Sequence, residues 1–322
     1  PVVGAAILHA AQAASGPALV VLDGVDRLDE GPPGERVPDL RWLLPGLADA
    51  PAVQFVVTGA GERARAAFAH RGWPVFEVPE LTPDERRQIA VDVLAMGAKT
   101  LDAANLEALV AAPRTGNARF LRTVLDELRQ HGEHFTLRAL LDRLTAAATV
   151  DDLLELVLAR YEADFERDRP GLVADAMRAL WAARHGLAEA ELLDLLAPGP
   201  DPLPQRVWAP LHLAAEHGIV SRGGLLGFAH ADLRRAVEDR YLPDEDSRRA
   251  AHAMLAAYFA AQPPGPRQAD ELAWQQAQAG DLAGLRTTLA DPDWAELAFS
   301  RHPADLRRLW GRLGGDAGLA GV

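Results

Sequence analysis

A chain of 322 residues, 49% hydrophobic and 25% charged, has the make-up of an ordinary soluble globular protein and the length for about two or three domains that each bury a core. Its net charge of −13 argues against broad non-specific binding to nucleic acid or to an anionic membrane. Cysteine is absent, which excludes a disulfide framework and any thiolate ligand or nucleophile; no apolar run is long enough to span a bilayer, and a cytoplasmic location is expected.

Residues 1 to 14 are alanine-rich with apolar residues at helical spacing, and Ser15-Gly16-Pro17 stops them. Ala18 to Leu22 is too uniformly apolar for a half-exposed strand and too short for a helix, so it reads as a buried parallel strand. Such a strand ends at the carboxyl edge of an open sheet, where ligands bind, and here Asp23, Gly24 and Asp26 follow. That is the pattern of a Walker B segment. Asp23 would hold Mg²⁺, mostly through water because this ion dehydrates reluctantly, Gly24 leaves room for a phosphate, and Asp26 is the candidate for orienting a hydrolytic water. The plainer reading is a strand closed by a turn with an Asx bond at Asp23.

A Pro/Gly loop at 31–38 precedes a short amphipathic helix at 39–47, and Val53 to Val57 reads as a second buried strand closing on Thr58-Gly59-Ala60-Gly61. Thr58 is either a sensor of a γ-phosphate on the neighbouring strand or the start of a glycine turn. Ala64 to His70 reads as a helix and Pro74 to Val78 as a third short strand.

From Leu81 the period changes to helical. Thr82 as N-cap, Pro83 at N1 and Glu85 at N3 form a capping box, and helices are expected at 101–112, 117–131 and 136–146. Gly116-Asn117 can be simply a helix start with Asn117 as N-cap. Residues 150 to 196 hold three more amphipathic segments, with Val157, Leu158 and Tyr161 on one and Met177, Leu180 and Trp181 on the next; Gly186 to Leu193 resembles the second helix of a helix-turn-helix. After the Pro-rich stretch 197–204 come a helix from Val207 to about His217 and two short strands, Ile219 to Ser221 and Leu225 to Ala229, about Gly223-Gly224, which together read as a winged helix. His230 stands at the exit of the wing, where a lone histidine is most simply structural. Beyond Pro263 to Pro266 short helices form antiparallel pairs, with Trp274, Trp294, Phe299 and Trp310 read as core anchors and 313–322 as a frayed end. The pattern suggests the start of an α-solenoid.

The order of parts resembles the STAND class of signalling NTPases, and within it the bacterial NACHT-like proteins related to nephrocystin and the telomerase-associated protein. The residues that carry the resemblance are 20–30 (VVLDGVDRLDE), 40–47 with 53–62, 78–89, the turn at 115–121, 222–244, and 271–285 with 289–299. The resemblance implies a mainly α fold with an α/β portion: a remnant of a parallel P-loop NTPase sheet at 1–80, a helical lid at 81–149, a winged helix at 150–262 and the start of a solenoid arm at 263–322. It implies ATP or ADP with Mg²⁺ as cofactors, Asp23 as the metal ligand, Asp26 as the second acid, Thr58 as first sensor, Gly116 and Asn117 as the lid motif near the base, and His230 reading the ADP phosphate. Exchange of ADP for ATP would open the clamp and permit homo-oligomerisation.

No G-x-x-x-x-G-K-[ST] occurs, and the sole lysine, Lys99, lacks the glycine spacing. The chain starts at Pro1, so the family's P-loop is expected upstream, and this stretch alone is expected to bind nucleotide weakly or not at all, with ATPase activity confined to the full-length protein. Ala118 stands where the lid motif usually has proline, and Arg27 where many relatives have an acid. A nucleotide-independent scaffold with protein partners on the helical arm is the alternative. A winged-helix transcription regulator is the second, disfavoured because the helix near Glu189 to Leu196 is acidic and apolar.

Overall fold

The computed structural model describes residues 18–27, 40 and 53–314. The helices read at 1–14 and 39–47, the loop at 31–38 and the chain from 315 onward lie outside the described residues, apart from Leu40. The chain divides into two compact units, Pro1–Pro79 and Glu80–Val322.

In the first unit β1 (Ala18–Leu22) pairs in parallel with β2 (Val53–Val57), Ala18 opposite Val53 and Leu22 opposite Val57. The β-branched valines of both runs suit the pleat. One face of the pair, with Leu22 and Val57, packs on Val25, Leu40, Ala64 and Phe68, the last two from α1 (Gly61–His70). The other face is open: Leu19 is 63% exposed, and Val21 and Val56 are exposed beside it. Among the described residues nothing covers that face, so these show no strand buried on both faces; the period-2 alternation of side chains puts half of the apolar run there. The third strand expected at Pro74 to Val78 is also absent, because that segment makes no ladder, and Phe76 and Val78 are 84% and 85% exposed.

The second unit is almost wholly helical. Its first part is α2 (Pro83–Ala95), α3 (Ala103–Ala111), α4 (Ala118–Gln130) and α5 (Leu137–Thr145). The capping box forms as read, with the Thr82 hydroxyl accepting from the Glu85 amide and Glu85 accepting from the Thr82 amide at 2.7 Å. Leu94, Phe120, Leu121, Val124, Leu125, Leu141 and Leu144 make a core of their own.

A second core is built on α6 (Val150–Phe165), α7 (Leu172–Ala182), α8 (Glu189–Leu195), α9 (Gln205–Ala214), α10 (Ala231–Tyr241) and α11 (Glu245–Ala260). Its anchors include Leu158, Met177, Leu180 and Trp208, and the Trp208 indole N–H donates to Glu189. A three-stranded antiparallel sheet flanks it, in the order β3 (Leu187–Ala188), β5 (Leu225–Phe228), β4 (Ile219–Arg222). The two-residue turn between β4 and β5 has φ of +60° at Gly223 and +84° at Gly224, the conformation that a tight hairpin of this twist requires and that only glycine adopts cheaply.

The last part is α12 (Pro266–Ala279), α13 (Leu282–Ala290), α14 (Pro292–Arg301) and α15 (Pro303–Arg312), around Ala273, Leu285, Leu289, Trp294 and Leu309. Trp294 anchors this core, Trp310 packs against it, and Trp274 lies half-buried, edge-on to His252. Phe299 is a correction: it faces solvent, because the buried stripe of α14 runs through Trp294 and Ala298 and the next residue falls outside it.

What ties the arm to the second core is a buried carboxylate. Glu271, with no solvent exposure, accepts from the backbone amides of Arg184 and His185 at 3.1 and 3.2 Å and from the Gln275 amide at 2.9 Å. Next to it Asp270 takes a two-bond fork from Arg301 and a bond with His302, and Arg184 pairs with Asp305. Glu271→Ala strands two part-buried backbone amides and the buried Gln275 side-chain amide, a loss of about 1–3 kcal/mol. We expect a loss of stability of that order in urea unfolding, with amide exchange accelerated in α12–α15 and unchanged in α2–α5.

Burial lowers the His185 and His252 pKa values, so the folded state binds fewer protons there than the unfolded chain. Their contribution is present above the unfolded value of about 6.5 and is lost as pH falls from there through the folded values. The urea midpoint should fall as the pH is lowered below about 6.5. His252→Phe, which removes the titrating ring beside Trp181 and Trp274 and its bond to Gln275, should flatten that slope.

Candidate functional site

The parallel register brings the carboxyl ends of β1 and β2 side by side, so Asp23 and Thr58, each one residue past its strand, meet. The Thr58 hydroxyl donates to Asp23 Oδ1 at 2.5 Å and accepts from the Gly24 amide at 2.9 Å. Backbone bonds lock the crossing, Thr58 N–H to Leu22 O at 2.9 Å and Val25 N–H to Thr58 O at 3.0 Å. Asp26, in the single 3₁₀ turn Val25–Arg27, accepts from the Ala60 amide at 2.9 Å. Asp23, Asp26 and Thr58 are all exposed, and they form one oxygen-lined edge.

Hard oxygen donors of this kind suit Mg²⁺ held through its water shell. Among the described residues no group of three or more His, Asp or Glu side chains converges to cage a metal directly. The same bonds serve the plainer role: Thr58 closes a turn, and Asp23 anchors it.

The turn Pro113–Gly116 lies in the second unit. Gly116 is buried, its carbonyl accepts the Leu81 amide at 2.8 Å, and a β-carbon there would come within 2.6 Å of Glu80 Oε2 and 2.7 Å of Arg86 Nη2. Glycine is needed so that the guanidinium of Arg86 can pass and bond Leu81, Val110 and Ala112 carbonyls. Asn117 caps α4, its Oδ1 accepting the amides of Arg119 and Phe120. Both residues thus have a complete structural account.

His230 is the N-cap of α10, with exposed extended backbone. It lines a cleft of about 340 Å³ that also receives Ala118 and Arg119 from the start of α4. The residues after Asn117 and the residue after the hairpin therefore open on one hollow, whereas Asp23, Asp26 and Thr58 belong to the other unit. Sequence reading missed the groups that frame this cleft: Arg119 pairs with Asp232 at 3.1 Å, and His217 approaches Asp126 at 3.4 Å. Each pair joins segments far apart in the chain, and nothing local marks it.

Helix α8 carries Glu189, Glu191 and Asp194, and all three are engaged within the fold. Glu189 takes the Trp208 and Gln205 donors, Glu191 holds Arg267 and the Ala188 amide, and Asp194 accepts from Tyr258. A helix that presents carboxylates and spends them internally is a poor reader of a phosphate backbone.

Comparison with known proteins gives relatives but no family. The chain is 28% identical over 299 residues to a TPR repeat-containing protein of Dictyostelium discoideum, covering 92% of this chain and 18% of that protein. It is 27% identical to the human putative tetratricopeptide repeat protein 41 (86% of this chain, 24% of that protein) and 26% identical to the human NACHT domain- and WD repeat-containing protein 1 (75% and 16%). The chain thus spans a quarter or less of the length of these relatives. No family model matches it, and no solved structure does. Among the described residues no helix is long and apolar enough to cross a membrane.

The edge geometry makes one local forecast. Thr58→Val removes the acceptor of the Gly24 amide but leaves the Thr58 carbonyl that holds Val25. Amide exchange should accelerate by about fivefold or more at Gly24, for a lost bond of roughly 1 kcal/mol, and stay nearly unchanged at Val25. Equal acceleration at both would mean that the hydroxyl holds the whole crossing.

Proposed function

We propose that this chain is a protein-interaction scaffold, a helical module of a larger repeat-containing protein. The observation that carries the reading is similarity to two repeat proteins across 92% and 86% of the chain, joined to a body of stacked helices from Pro83 to Arg312. The arm is the surface for a protein partner: a hairpin of α13 and α14 locked to the body through Asp270 and Glu271, with Leu282 and Phe299 exposed. A rigid surface loses little entropy on binding, which suits the task.

A second reading rests on the oxygen-lined edge of Asp23, Asp26 and Thr58. In it the chain is the body of a STAND-type switch, closed with ADP and oligomerising with ATP. Asp23 holds water-bridged Mg²⁺, Asp26 orients the attacking water, Thr58 senses the γ-phosphate, and Gly116 and Asn117 face the base. The β3-β5-β4 sheet with α7–α10 is then a winged helix whose His230 reads the ADP phosphate. A P-loop must come from sequence outside this chain, because the backbone cradle and lysine are the main phosphate-binding groups.

The two readings separate in one experiment on the full-length protein, with co-purification from its own cells and light scattering in ADP and in ATP. The scaffold reading expects the double variant Leu282→Glu, Phe299→Glu to lose its co-purifying protein and Asp23→Ala to keep it, with mass independent of nucleotide. If Asp23→Ala instead abolishes an ATP-dependent gain in mass and the arm variant leaves association intact, the switch reading replaces it.

A further inference from the structure

A charge held partly out of water is costly unless a bond compensates it. Among the described residues every half-buried arginine but one makes a side-chain hydrogen bond or an ion pair. The exception is Arg234 on α10. Its guanidinium lies over the ring of Trp181 near the end of α7, with its carbon 4.9 Å from the ring centroid, and burial pushes its pKa down. None of its nitrogens is sealed from solvent, so a guest can reach the donors.

The nearest counter-charge is engaged elsewhere. Glu238, one turn further along α10, attracts Arg234 without coming within ion-pair distance. Its Oε2 accepts from the Trp181 indole N–H at 3.2 Å, and its Oε1 pairs with Arg248 at 3.2 Å. Two guanidinium groups and one carboxylate leave one positive charge, and the N–H donors of Arg234 are the ones that no described residue uses. The base under that charge is fixed: Trp181 is buried and packs on the buried ring of His252, 5.3 Å between centroids.

A guanidinium fork matches a carboxylate, which takes two parallel N–H bonds. One spare positive charge matches one negative charge. A phosphate ester would bring nearly two beside Glu238, and the excess would be repelled in a setting only partly screened by water.

We propose that Arg234, backed by Trp181, is a recognition site for the carboxylate of an Asp or Glu side chain on a protein partner. The site deepens the scaffold reading and rests on it for the source of the carboxylate; the arm hairpin and Arg234 are then two separate points of contact.

The test is a titration of the whole chain with acetyl-Leu-Glu-Leu-amide and with its Gln counterpart, followed by the arginine Nε–H and tryptophan Nε1–H signals. The Glu peptide should shift Arg234 and Trp181 saturably, at concentrations about tenfold lower than those that shift Arg114, Arg206 and Arg286, which are exposed and make no side-chain bond to a described residue. The Gln peptide should shift neither. Propionate should bind at the same place, and methyl phosphate more weakly than propionate. Arg234→Met keeps a long side chain on the Trp181 ring; it should abolish the Trp181 shift and leave the urea midpoint unchanged or higher. An equal response of Arg234 and the exposed arginines, or equal binding of the two peptides, would overturn the proposal. So would a lower urea midpoint for Arg234→Met, which makes the stack on Trp181 a structural clamp. Tighter binding of methyl phosphate than of propionate overturns it in favour of a phosphate ligand, and binding of propionate without the Glu peptide in favour of a free acid. The double variant of the arm should leave this titration unchanged, so a failure of the scaffold reading and a failure of this site are told apart.

Discussion

Glu271 is a carboxylate without solvent exposure, and the attachment of the C-terminal arm, α12–α15, depends on what it accepts. Helix α7 ends at Ala182, and the chain then turns toward β3, leaving the amides of Arg184 and His185 pointing inward with no helical carbonyl to receive them. Glu271 supplies that acceptor from α12, ninety or so residues later in the chain, and Gln275 one turn on donates to the Ala182 carbonyl at 2.9 Å. A buried charge that satisfies backbone donors is stable only in one arrangement, because any displacement leaves both charge and amides unpaired. The arm is thereby held at a defined angle to the second core, which a purely apolar contact would not enforce.

The same logic recurs at the junction of the first and second cores, with a different outcome. There the ion pairs sit at the rim of an apolar gap, and the His217 ring lies 3.4 Å from the Asp126 carboxylate. The two junctions are built from different residues.

The oxygen-lined edge shows how one geometry supports two readings. The bond of Thr58 to Asp23, the cap of Asp26 on Ala60 and the lock of Val25 on Thr58 are compatible with a nucleotide site, and they equally hold together the two loops that leave the carboxyl ends of a parallel pair. Gly116 and Asn117 behave alike: close passage of Arg86 explains the first and helix capping the second. The similarity to repeat proteins is independent of these residues' roles, and the scaffold proposal rests on it.

Much of the fold was legible in the sequence because its causes are local. Thr82-Pro83-Glu85 caps a helix wherever it stands, Asn117 starts one, Gly223-Gly224 turns a hairpin, and the stripes through Leu158 and Leu180 choose the buried faces. The pairing of β1 with β2 also follows from two apolar runs that each end on a polar turn. Tertiary structure alone decided which apolar residues are covered: Leu19, Val21, Phe76 and Phe299 have the same chemistry as buried neighbours and lie on faces that nothing described packs against. It alone decided where charges are spent, since Glu271 with Arg184, Asp270 with Arg301, and Arg119 with Asp232 meet across 31 to 113 residues of chain. Periodicity can say that a residue faces inward, but it cannot say what will be opposite it.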